Sequence, residues 1–187
     1  MPTTKIKIIA LMGKAGSGKD TLMQKVLAAY PDRFNEIISC TTRPAREHEI
    51  NGKNYYFLTI EEFTKRLLQG DLLEATEFND WHYGTLFSTL AQDKPNIGVF
   101  NPEGVFNLID NPSIDLEVWY IQASDKDRLL RQLNREVSPN VAEIIRRYKA
   151  DEEDFAEEEL EDLDYTIFYN NDAEDIKLFV TMFGRLY

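Results

Sequence analysis

Short runs of apolar residues alternate along this chain with longer segments in which apolar residues recur every three or four positions. The first run, from Lys5 to Met12, is rich in isoleucine and ends at a glycine cluster, a pattern typical of a buried strand. The next segment, from Asp20 to Tyr30, carries Leu22 and Val26 at helical spacing and stops at Pro31. The beginning of the chain therefore predicts a strand, a glycine-rich loop and a helix.

The same alternation continues to the end of the chain. Further strands are predicted over 36–40, 55–58, 72–78, 96–101, 116–123 and 165–169. Further helices are predicted over 59–69, where Thr59 opens a capping box, and over 86–93, 105–109, 124–133 and 173–187, with another beginning at Ser138 and Pro139. Strands that alternate with helices favour an α/β fold in which a parallel sheet is covered on both faces.

Composition and charge narrow the class of protein. A chain of 187 residues with 43% hydrophobic residues suits one globular domain. The formal net charge of -12 argues against a nucleic-acid partner, so any anionic ligand must meet local positive charge. The N-terminal apolar run is too short to cross a bilayer and has no small-residue cleavage site. We therefore expect a cytoplasmic protein without a membrane partner, and we expect a monomer or a homodimer.

Two features that could suggest metal binding have simpler interpretations. Cys40 is the only cysteine, so we interpret it as a packing residue, and His48 and His82 alone cannot complete a Cys/His metal cluster. The acidic tract from Asp151 to Asp164 is interrupted by apolar residues such as Phe155. We interpret this tract as a solvated helix rather than a disordered tail or a metal site.

The glycine cluster after the first predicted strand reads GKAGSGKDT and occupies residues 13–21. It resembles the phosphate-binding pattern G-x-x-x-x-G-K-[ST], in which backbone N–H groups and the start of a helix surround a phosphate. Its glycines allow the turn, and Lys19 reaches the β and γ phosphates of a nucleotide. The alternative is a chance glycine-rich turn, but a strand before the loop and a helix after it favour phosphate binding.

Asp20 stands where the usual pattern has a hydroxyl that ligates Mg²⁺. In such loops an aspartate at the end of another strand helps to hold the metal, but the candidate strand here ends Gly98-Val99-Phe100-Asn101, without a carboxylate. We therefore predict that Asp20 supplies an oxygen ligand for Mg²⁺, directly or through water, because Mg²⁺ prefers carboxylate and phosphate oxygens. The alternative is that Asp20 only stabilises the helix N-terminus.

A second motif follows the loop. The stretch SCTTRPAR, residues 39–46, and the stretch NGKNYYF, residues 51–57, resemble the acceptor-binding pattern of the guanylate kinase family. The resemblance covers nearly the whole chain and implies a P-loop NTPase fold, a three-layer α/β/α sandwich with a parallel central sheet. It also implies one domain spanning 1–187, with a core of 1–38, 87–125 and 164–187, a small NMP-binding insertion over about 39–86, and a helical lid over about 126–163.

The activity implied by the resemblance is transfer of phosphate from ATP to GMP or dGMP, with Mg²⁺ and without a covalent intermediate. The partners are therefore expected to be small-molecule nucleotides. The expected ATP-binding residues are those of the loop together with one asparagine near the adenine: Gly13, Lys14, Ala15, Gly16, Ser17, Gly18, Lys19, Asp20, Thr21 and Asn170. A strand-ending turn is the alternative interpretation of Asn170.

The phosphate of a nucleoside monophosphate is a dianion, which guanidinium groups and a phenol can hold by charge-assisted hydrogen bonds. Arg43, Arg46 and Tyr55 are the candidates from the second motif. By resemblance, Tyr83 completes the same group. Taken singly, without the surrounding motif, each tyrosine is better explained as an ordinary half-buried strand residue.

Guanine offers two N–H donors that a carboxylate accepts as a pair, and an O6 acceptor that needs a donor. Glu74 fits the first role, and by resemblance Ser39 donates to O6 while Thr85 is a supporting hydroxyl. Adenine presents an acceptor where guanine presents N1–H, so this site is expected to reject AMP.

Arginines in the predicted lid resemble residues that close over the phosphates and offset the charge of the transferred group. They are Arg131, Arg135 and Arg146, which with Lys19 and Arg43 form the expected catalytic set. Arginines on helix surfaces also form weak ion pairs with neighbours such as Glu143, and this is the alternative interpretation.

The sequence departs from the family pattern at Asp20, at Val99 and Asn101 in place of two aspartates, and at His82 in place of a tyrosine. The loop sequence and Asn101 are similar to ribose 1,5-bisphosphate phosphokinase, so that activity, or a relaxed specificity among nucleoside monophosphates, is an alternative. A non-catalytic guanylate-kinase-like binding module is an alternative of another class. The intact Gly13, Gly18 and Lys19 favour an enzyme.

Overall fold

The protein contains two β-sheets and a set of helices, described here from a computed structural model that covers residues 5–47, 49–78, 80–135 and 137–187. The strands are β1 (Ile6–Met12), β2 (Asn35–Glu36), β3 (Cys40–Thr41), β4 (Tyr56–Phe57), β5 (Leu72–Phe78), β6 (Trp81–Leu86), β7 (Asn96–Val99), β8 (Ile114–Gln122) and β9 (Thr166–Tyr169). The helices are α1 (Lys19–Ala29), α2 (Ile60–Gln69), α3 (Pro102–Ile109), α4 (Asp125–Leu133), α5 (Val141–Asp154), α6 (Glu157–Leu160) and α7 (Ala173–Leu186).

The larger sheet is parallel and has the strand order β2-β7-β1-β8-β9. Its central strand β1 is apolar at almost every position because both of its faces are covered. On one face, Ile8 and Met12 pack in a cluster with residues of α3 and with Phe155. On the other face, Ile9 and Leu11 pack in a cluster with residues of α1 and α7. The sheet therefore lies between two layers, and the predicted α/β fold with a parallel central sheet is confirmed.

The smaller sheet is built from residues 40–86 and has the strand order β4-β3-β6-β5. Strand β6 pairs antiparallel with both β3 and β5, whereas β4 pairs parallel with β3. Phe63 of α2 packs beneath this sheet in a cluster with Cys40, Leu72 and Leu86. Cys40 is fully buried there, as expected for a packing residue.

Helix ends follow the predicted local chemistry at several places. Thr59 caps α2 and forms the expected capping box with Glu62. Ser124 caps α4 through the Asp127 N–H. Asp172 caps α7, which begins at the predicted Ala173. Such side chains satisfy backbone N–H groups that have no partner within the helix.

Two predicted elements were wrong in the middle of the chain. The predicted strand 36–40 is divided between the two sheets, because Ile37 still bonds to Ile97 of β7 while Ser39 already bonds to Tyr56 of β4. The predicted helix 86–93 is absent, since Leu86 ends β6 and only a 3₁₀ turn, Phe87–Thr89, follows. The buried amide of Asn96 instead binds both the N–H and the carbonyl of Ala91. These tertiary hydrogen bonds replace those of a helix.

Two corrections concern the helices near the C-terminal half. The helix predicted from Ser138 and Pro139 begins at Val141, because Asn140 caps it through the Glu143 N–H. The acidic tract is not one solvated helix, since α5 ends at Asp154 and Phe155 turns into the core.

Among the described residues, no helix is both long enough and apolar enough to cross a membrane.

Candidate functional site

The glycine-rich loop lies between β1 and α1, as predicted, and is held closely by its surroundings. Gly16 and Gly18 have φ angles of 81° and 89°, in the left-handed region that glycine adopts without strain. A Cβ on Gly16 would collide with the backbone of Arg128, and one on Gly18 would collide with the amide of Asn170. Only glycine fits these two positions, which leaves the loop backbone close to α4 and to the end of β9.

Arg131 and Asn170 attach the loop to the rest of the protein. The Arg131 guanidinium donates to the carbonyls of Gly16 and Ser17 at 3.3 and 3.1 Å and to the Asn170 carbonyl at 2.8 Å. The Asn170 side-chain amide donates to the Ser17 carbonyl at 2.8 Å. Arg131 was predicted as a lid arginine of the catalytic set and Asn170 as an ATP-binding residue, and both lie against the loop.

Three buried side-chain oxygen atoms have no hydrogen-bond partner within the described chain: Ser17 Oγ, Asn170 Oδ1 and Thr85 Oγ1. Buried polar atoms are almost always paired in folded proteins, so an unpaired one requires a partner such as a bound ligand, an ion or water. All three belong to the residues predicted to bind nucleotides. Ser17 lies in the loop, Asn170 lies beside it at the end of β9, and Thr85 lies in the smaller sheet.

Lys19 and Asp20 begin α1 directly after the loop. The Lys19 side chain is half-buried, whereas Asp20 and Thr21 are exposed. Asp20 contributes to a raised pKa of Tyr55, whose largest cause is burial. The start of α1 is therefore near Tyr55, one of the residues predicted to bind the acceptor phosphate.

The metal prediction can be compared with the available oxygen ligands. In the part of the chain that the structure describes, no three His, Cys, Asp or Glu side chains are grouped to hold a metal ion. Mg²⁺ in nucleotide sites takes only one or two protein carboxylates and completes its octahedron with phosphate oxygens and water. The exposed carboxylate of Asp20 beside the loop is compatible with that kind of site.

The candidate acceptor-phosphate group is a cluster around Arg43. Its guanidinium forms a bidentate ion pair with Glu49, at 2.9 and 2.8 Å, and lies 5.4 Å from the ring centroid of Tyr55. The rings of Tyr55 and Tyr83 meet edge to face, with 6.1 Å between their centroids. Hydrogen bonds to Glu49 raise the pKa of Arg43, and those same bonds lower the pKa of Glu49. The structure thus brings together three predicted residues and one acid that was not predicted.

The candidate base-reading group lies one strand further on. Glu74 of β5 pairs with Thr85 of β6 across the antiparallel ladder, and both are buried. Burial raises the pKa of Glu74 to about 7, with Glu103 adding to the shift and Thr85 opposing it. Gly104, in the first turn of α3, lies beside the Glu74 carboxylate. The pKa of Glu74 is thus shifted toward neutrality, and shifts of this kind are frequent at functional sites.

Other predicted residues are less closely connected. Ser39 is half-buried just before β3, and its carbonyl accepts from the Tyr56 N–H. The side chains of Arg46 and Arg135 are exposed, and within the described chain neither forms a hydrogen bond or ion pair. Arg146 forms a bidentate pair with Glu143 on its own helix, the weak surface pairing considered as an alternative. The structure therefore brings Arg131 to the loop, whereas Arg146 pairs with Glu143 and Arg135 is exposed.

Comparison with known proteins decides between the families considered. The family model of guanylate kinase matches residues 5–181. The chain belongs to the guanylate kinase family. It is 35% identical to the guanylate kinase of Chlamydia felis over 143 residues, which cover 73% of this chain and 68% of the relative. It is also 35% identical to the guanylate kinase of Sus scrofa over 164 residues, which cover 83% of this chain and 81% of the relative.

A solved structure supports the same fold. The crystal structure of guanylate kinase from Anaplasma phagocytophilum superposes with a TM-score of 0.64 and covers 98% of this chain and 86% of that chain. Its sequence identity is 19%, so the likeness concerns the fold alone. The predicted three-layer P-loop fold is consistent with this guanylate kinase neighbour.

The positions at which this guanylate kinase family member departs from the usual pattern have local explanations. The Asn101 side chain caps α3 through the Gly104 N–H at 2.9 Å, so the asparagine oxygen serves the helix. Val99 packs with the apolar cluster beneath α1 and α7. The His82 ring stacks on Phe63 at a centroid distance of 5.4 Å. His48, the other histidine considered, lies outside the described residues.

The sequence analysis did not identify four charged residues that contact the candidate site. Glu49 was missed although it lies three residues after Arg46, a spacing that signals a local contact. Arg128, Asp151 and Glu152 contact the glycine loop from α4 and α5. Arg128 and Asp151 are 23 residues apart and belong to no pattern, so only the fold reveals that they meet.

Proposed function

We propose that this protein transfers the γ-phosphoryl group of ATP to GMP or dGMP, producing ADP and GDP or dGDP. The observation that carries the proposal is that the buried carboxyl of Glu74 lies opposite Thr85 in the smaller sheet, close to the Arg43 cluster, and that the Thr85 hydroxyl has no hydrogen-bond partner in the described chain. A group suited to bind a base, Glu74, and a group suited to bind a phosphate, Arg43, lie close together, as a nucleoside monophosphate requires. The family membership supports the same reaction.

Guanine is the base that fits Glu74. The ionised carboxylate accepts the N1–H and N2–H of guanine as a pair, which compensates for its burial. Adenine would place the N1 acceptor against that carboxylate and leave buried groups unpaired, at a cost of about 1–3 kcal/mol for each group. Ser39, which stands before the adjacent strand, is proposed as the donor to O6.

The acceptor phosphate is proposed to bind Arg43, Arg46, Tyr55 and Tyr83. Arg43 is already oriented by Glu49, so its guanidinium does not need to be ordered when GMP binds. The exposed Arg46 is free to approach from the same loop. Because Asp20 affects the pKa of Tyr55, this phosphate would lie near the start of α1.

The donor phosphates are proposed to bind the loop of residues 13–21, with Lys19 at their β and γ groups. Bound Mg²⁺, with Asp20 as its proposed protein ligand, would offset the negative charge of the phosphates. Asn170, whose Oδ1 is buried and unpaired, is proposed to contact the adenine. The hydrogen bonds that hold Arg131 to the loop carbonyls would be replaced in part by phosphate contacts, since guanidinium groups prefer anions to carbonyls.

In the reaction, the bond between the γ-phosphorus and the β–γ bridging oxygen breaks while a bond forms to an oxygen of the GMP phosphate. The protein's part is positioning and stabilisation of charge, so no general base is needed. We propose that Arg135 and Arg146 approach the phosphates when the lid segment, about 126–163, closes over the core and over the acceptor-binding region, about 39–86. A cytoplasmic location and a monomeric or homodimeric state remain expectations from the sequence.

The experiment that tests this proposal measures ADP production from Mg-ATP with GMP, dGMP, AMP, CMP, UMP and ribose 1,5-bisphosphate as acceptors. The expected result is that ADP is produced fastest with GMP or dGMP as the acceptor, and that Lys19→Ala abolishes this ADP production. Turnover of the sugar phosphate alone would favour the other kinase family considered above. Nucleotide binding without any turnover would favour a binding module.

A further inference from the structure

The backbone of Ala15 in the glycine loop is held at both its N–H and its carbonyl by charged residues of α4 and α5. The Ala15 N–H donates to a carboxylate oxygen of Asp151 on α5, with 2.7 Å between the two atoms. The Ala15 carbonyl accepts from Nε of Arg128 on α4 at 3.1 Å. Arg128 and Asp151 also bond to each other at 3.0 Å. Two residues that are distant in the sequence thus form a closed set of contacts around Ala15.

This pair is largely removed from water. The exposed fraction of the side chain is 3% for Arg128 and 16% for Asp151. Arg128 also bonds to Asp125 at 2.8 Å, and its guanidinium lies over the ring of Tyr148. Burial raises the pKa of Asp151, while the Ala15 N–H, Arg128 and Lys19 oppose that shift. A buried ion pair is expensive to desolvate, so its main value is often specificity of structure rather than stability.

The neighbouring loop residue is held in the same way. The ammonium of Lys14 bonds to Glu152 of α5 at 2.6 Å, and Glu152 also lies 3.5 Å from Arg128. The two adjacent acids of α5 therefore contact two adjacent residues of the loop. A cavity of about 180 Å³ borders this contact and is lined by Lys14, Ser17, Gln122 and Arg128 among others. The contacts thus stand at the edge of open space beside the loop.

We propose that Arg128 and Asp151 are positioning residues for the donor nucleotide, which fix the backbone of Ala15 on both sides and thereby the phosphate-binding loop. Gly13 and Gly16 stand on either side of Lys14 and Ala15 and leave the backbone free to rotate unless other groups hold it. A loop that is fixed before the ligand arrives loses less conformational entropy on binding. Because the two residues belong to different helices, the same contacts connect α4 and α5 to the loop.

This inference rests on the proposed function, since it concerns binding of the donor of that reaction. Its signature is selective: ATP binding weakens, whereas GMP binding does not change. A general loss of structure would affect both substrates. Competition between the Asp151 carboxylate and the phosphates would have the opposite effect on ATP.

The test compares Asp151→Ala, Asp151→Asn, Arg128→Lys and the control Glu153→Ala, an exposed acid on the same helix. ATP binding is measured by calorimetry, and KM for ATP and for GMP, together with the melting temperature, is measured on the same preparations. We expect Asp151→Ala to weaken ATP binding about tenfold, the effect of losing one charge-assisted hydrogen bond. Asp151→Asn keeps an oxygen for the Ala15 N–H and is expected to bind ATP more tightly than Asp151→Ala.

The inference is overturned if Asp151→Ala binds ATP as Glu153→Ala does, if it binds ATP more tightly than the wild type, or if KM rises equally for both substrates. If Asp151→Ala does not fold, Arg128→Lys tests the inference instead, because lysine keeps the charge but cannot bond to Ala15 and Asp151 at the same time as a fork. Unchanged ATP binding in Arg128→Lys then overturns the inference. A wild type that binds no ATP contradicts the proposed function instead. A wild type that phosphorylates GMP, with unchanged variants, contradicts this inference alone.

Discussion

Glu74 on β5 and Thr85 on β6 lie opposite each other in the smaller sheet, where both side chains are buried. The hydroxyl of Thr85 has no hydrogen-bond partner within the described chain, and burial raises the pKa of Glu74 to about 7. Above neutral pH neither feature stabilises the ligand-free protein. Both are explained if a base with paired N–H donors completes the site.

The pH dependence of GMP binding follows from the raised pKa of Glu74. Guanine donors need the ionised carboxylate, and this form increases as pH rises through about 7. We therefore expect the Kd for GMP to decrease between about pH 6 and about pH 8, with release of a proton on binding at the lower pH. Calorimetry in buffers of different ionisation enthalpy measures this proton release.

The control for that experiment is Glu74→Gln, which cannot titrate. It should bind GMP more weakly, and its Kd should lose the dependence on pH near neutrality. Proton release that persists in Glu74→Gln would show that another group is responsible.

The same pKa shift predicts a dependence of stability on pH without ligand. The fold raises the pKa of Glu74 from its ordinary value of 4.5, so the folded state holds a proton that the unfolded state has lost. The contribution of Glu74 to stability is therefore complete below about pH 4.5 and is lost as pH rises through about 7. Chemical denaturation of the wild type and Glu74→Gln across this range should show stability falling more steeply in the wild type.

Glu49 is expected to orient Arg43 for the acceptor phosphate. Glu49→Ala removes both ion-pair contacts of the Arg43 fork, so the guanidinium becomes mobile near Tyr55. We expect KM for GMP to rise about fivefold to tenfold and KM for ATP to stay unchanged. Glu47→Ala, an exposed acid in the same loop, is the control. A lower KM for GMP in Glu49→Ala would mean that Glu49 competes with the substrate.

Asp20 is expected to set the requirement for Mg²⁺. Asp20→Asn should raise the half-saturating concentration of Mg²⁺ about tenfold, because it removes a charged oxygen ligand. Asp20→Ser, which has a hydroxyl at that position, should recover part of the loss. Asp32→Asn, at the turn after α1, is the control for surface charge. An unchanged Mg²⁺ requirement in Asp20→Asn would leave Asp20 with a role at the helix N-terminus only.

The elements with regular patterns could be predicted from the sequence. The apolar run of β1 and the Thr59 capping box of α2 determine local structure through the residues themselves, and both were found as expected. The region 86–93 could not be read in this way, because Asn96 bonds to the Ala91 backbone across a turn and replaces helical bonds. Propensity is weaker than such tertiary contacts.

The candidate site could be predicted from the sequence only where its residues belong to motifs. Arg43, Tyr55 and Glu74 belong to short motifs, and a motif identifies its residues before the fold is known. Arg128 and Asp151 have no such signal, since their contact depends on how α4 and α5 pack around the loop. The acidic tract was interpreted as a solvated helix from its charge alone. That charge pattern cannot show that Asp151 contacts the buried Arg128.

The core between the larger sheet and its helices gives a prediction about stability. Phe179 of α7 is fully buried against Trp119, Phe168 and Phe183. Phe179→Ala should lower the free energy of unfolding by about 3–5 kcal/mol, through lost burial and the cavity that remains. Leu178→Ala is the control, because that side chain is 53% exposed and its loss should cost less than about 0.5 kcal/mol. Equal effects in urea denaturation would contradict the packing of α7.

The central claim is that Glu74 selects guanine as the base of the phosphoryl acceptor. The most direct test is the ratio of kcat/KM for GMP to kcat/KM for AMP, measured with Mg-ATP in the wild type and in Glu74→Gln. The account predicts a ratio of at least about a hundred in the wild type, since AMP leaves buried polar groups unpaired, and a much smaller ratio in the variant. Comparable rates with both nucleotides in the wild type, or an unchanged ratio in Glu74→Gln, would contradict it.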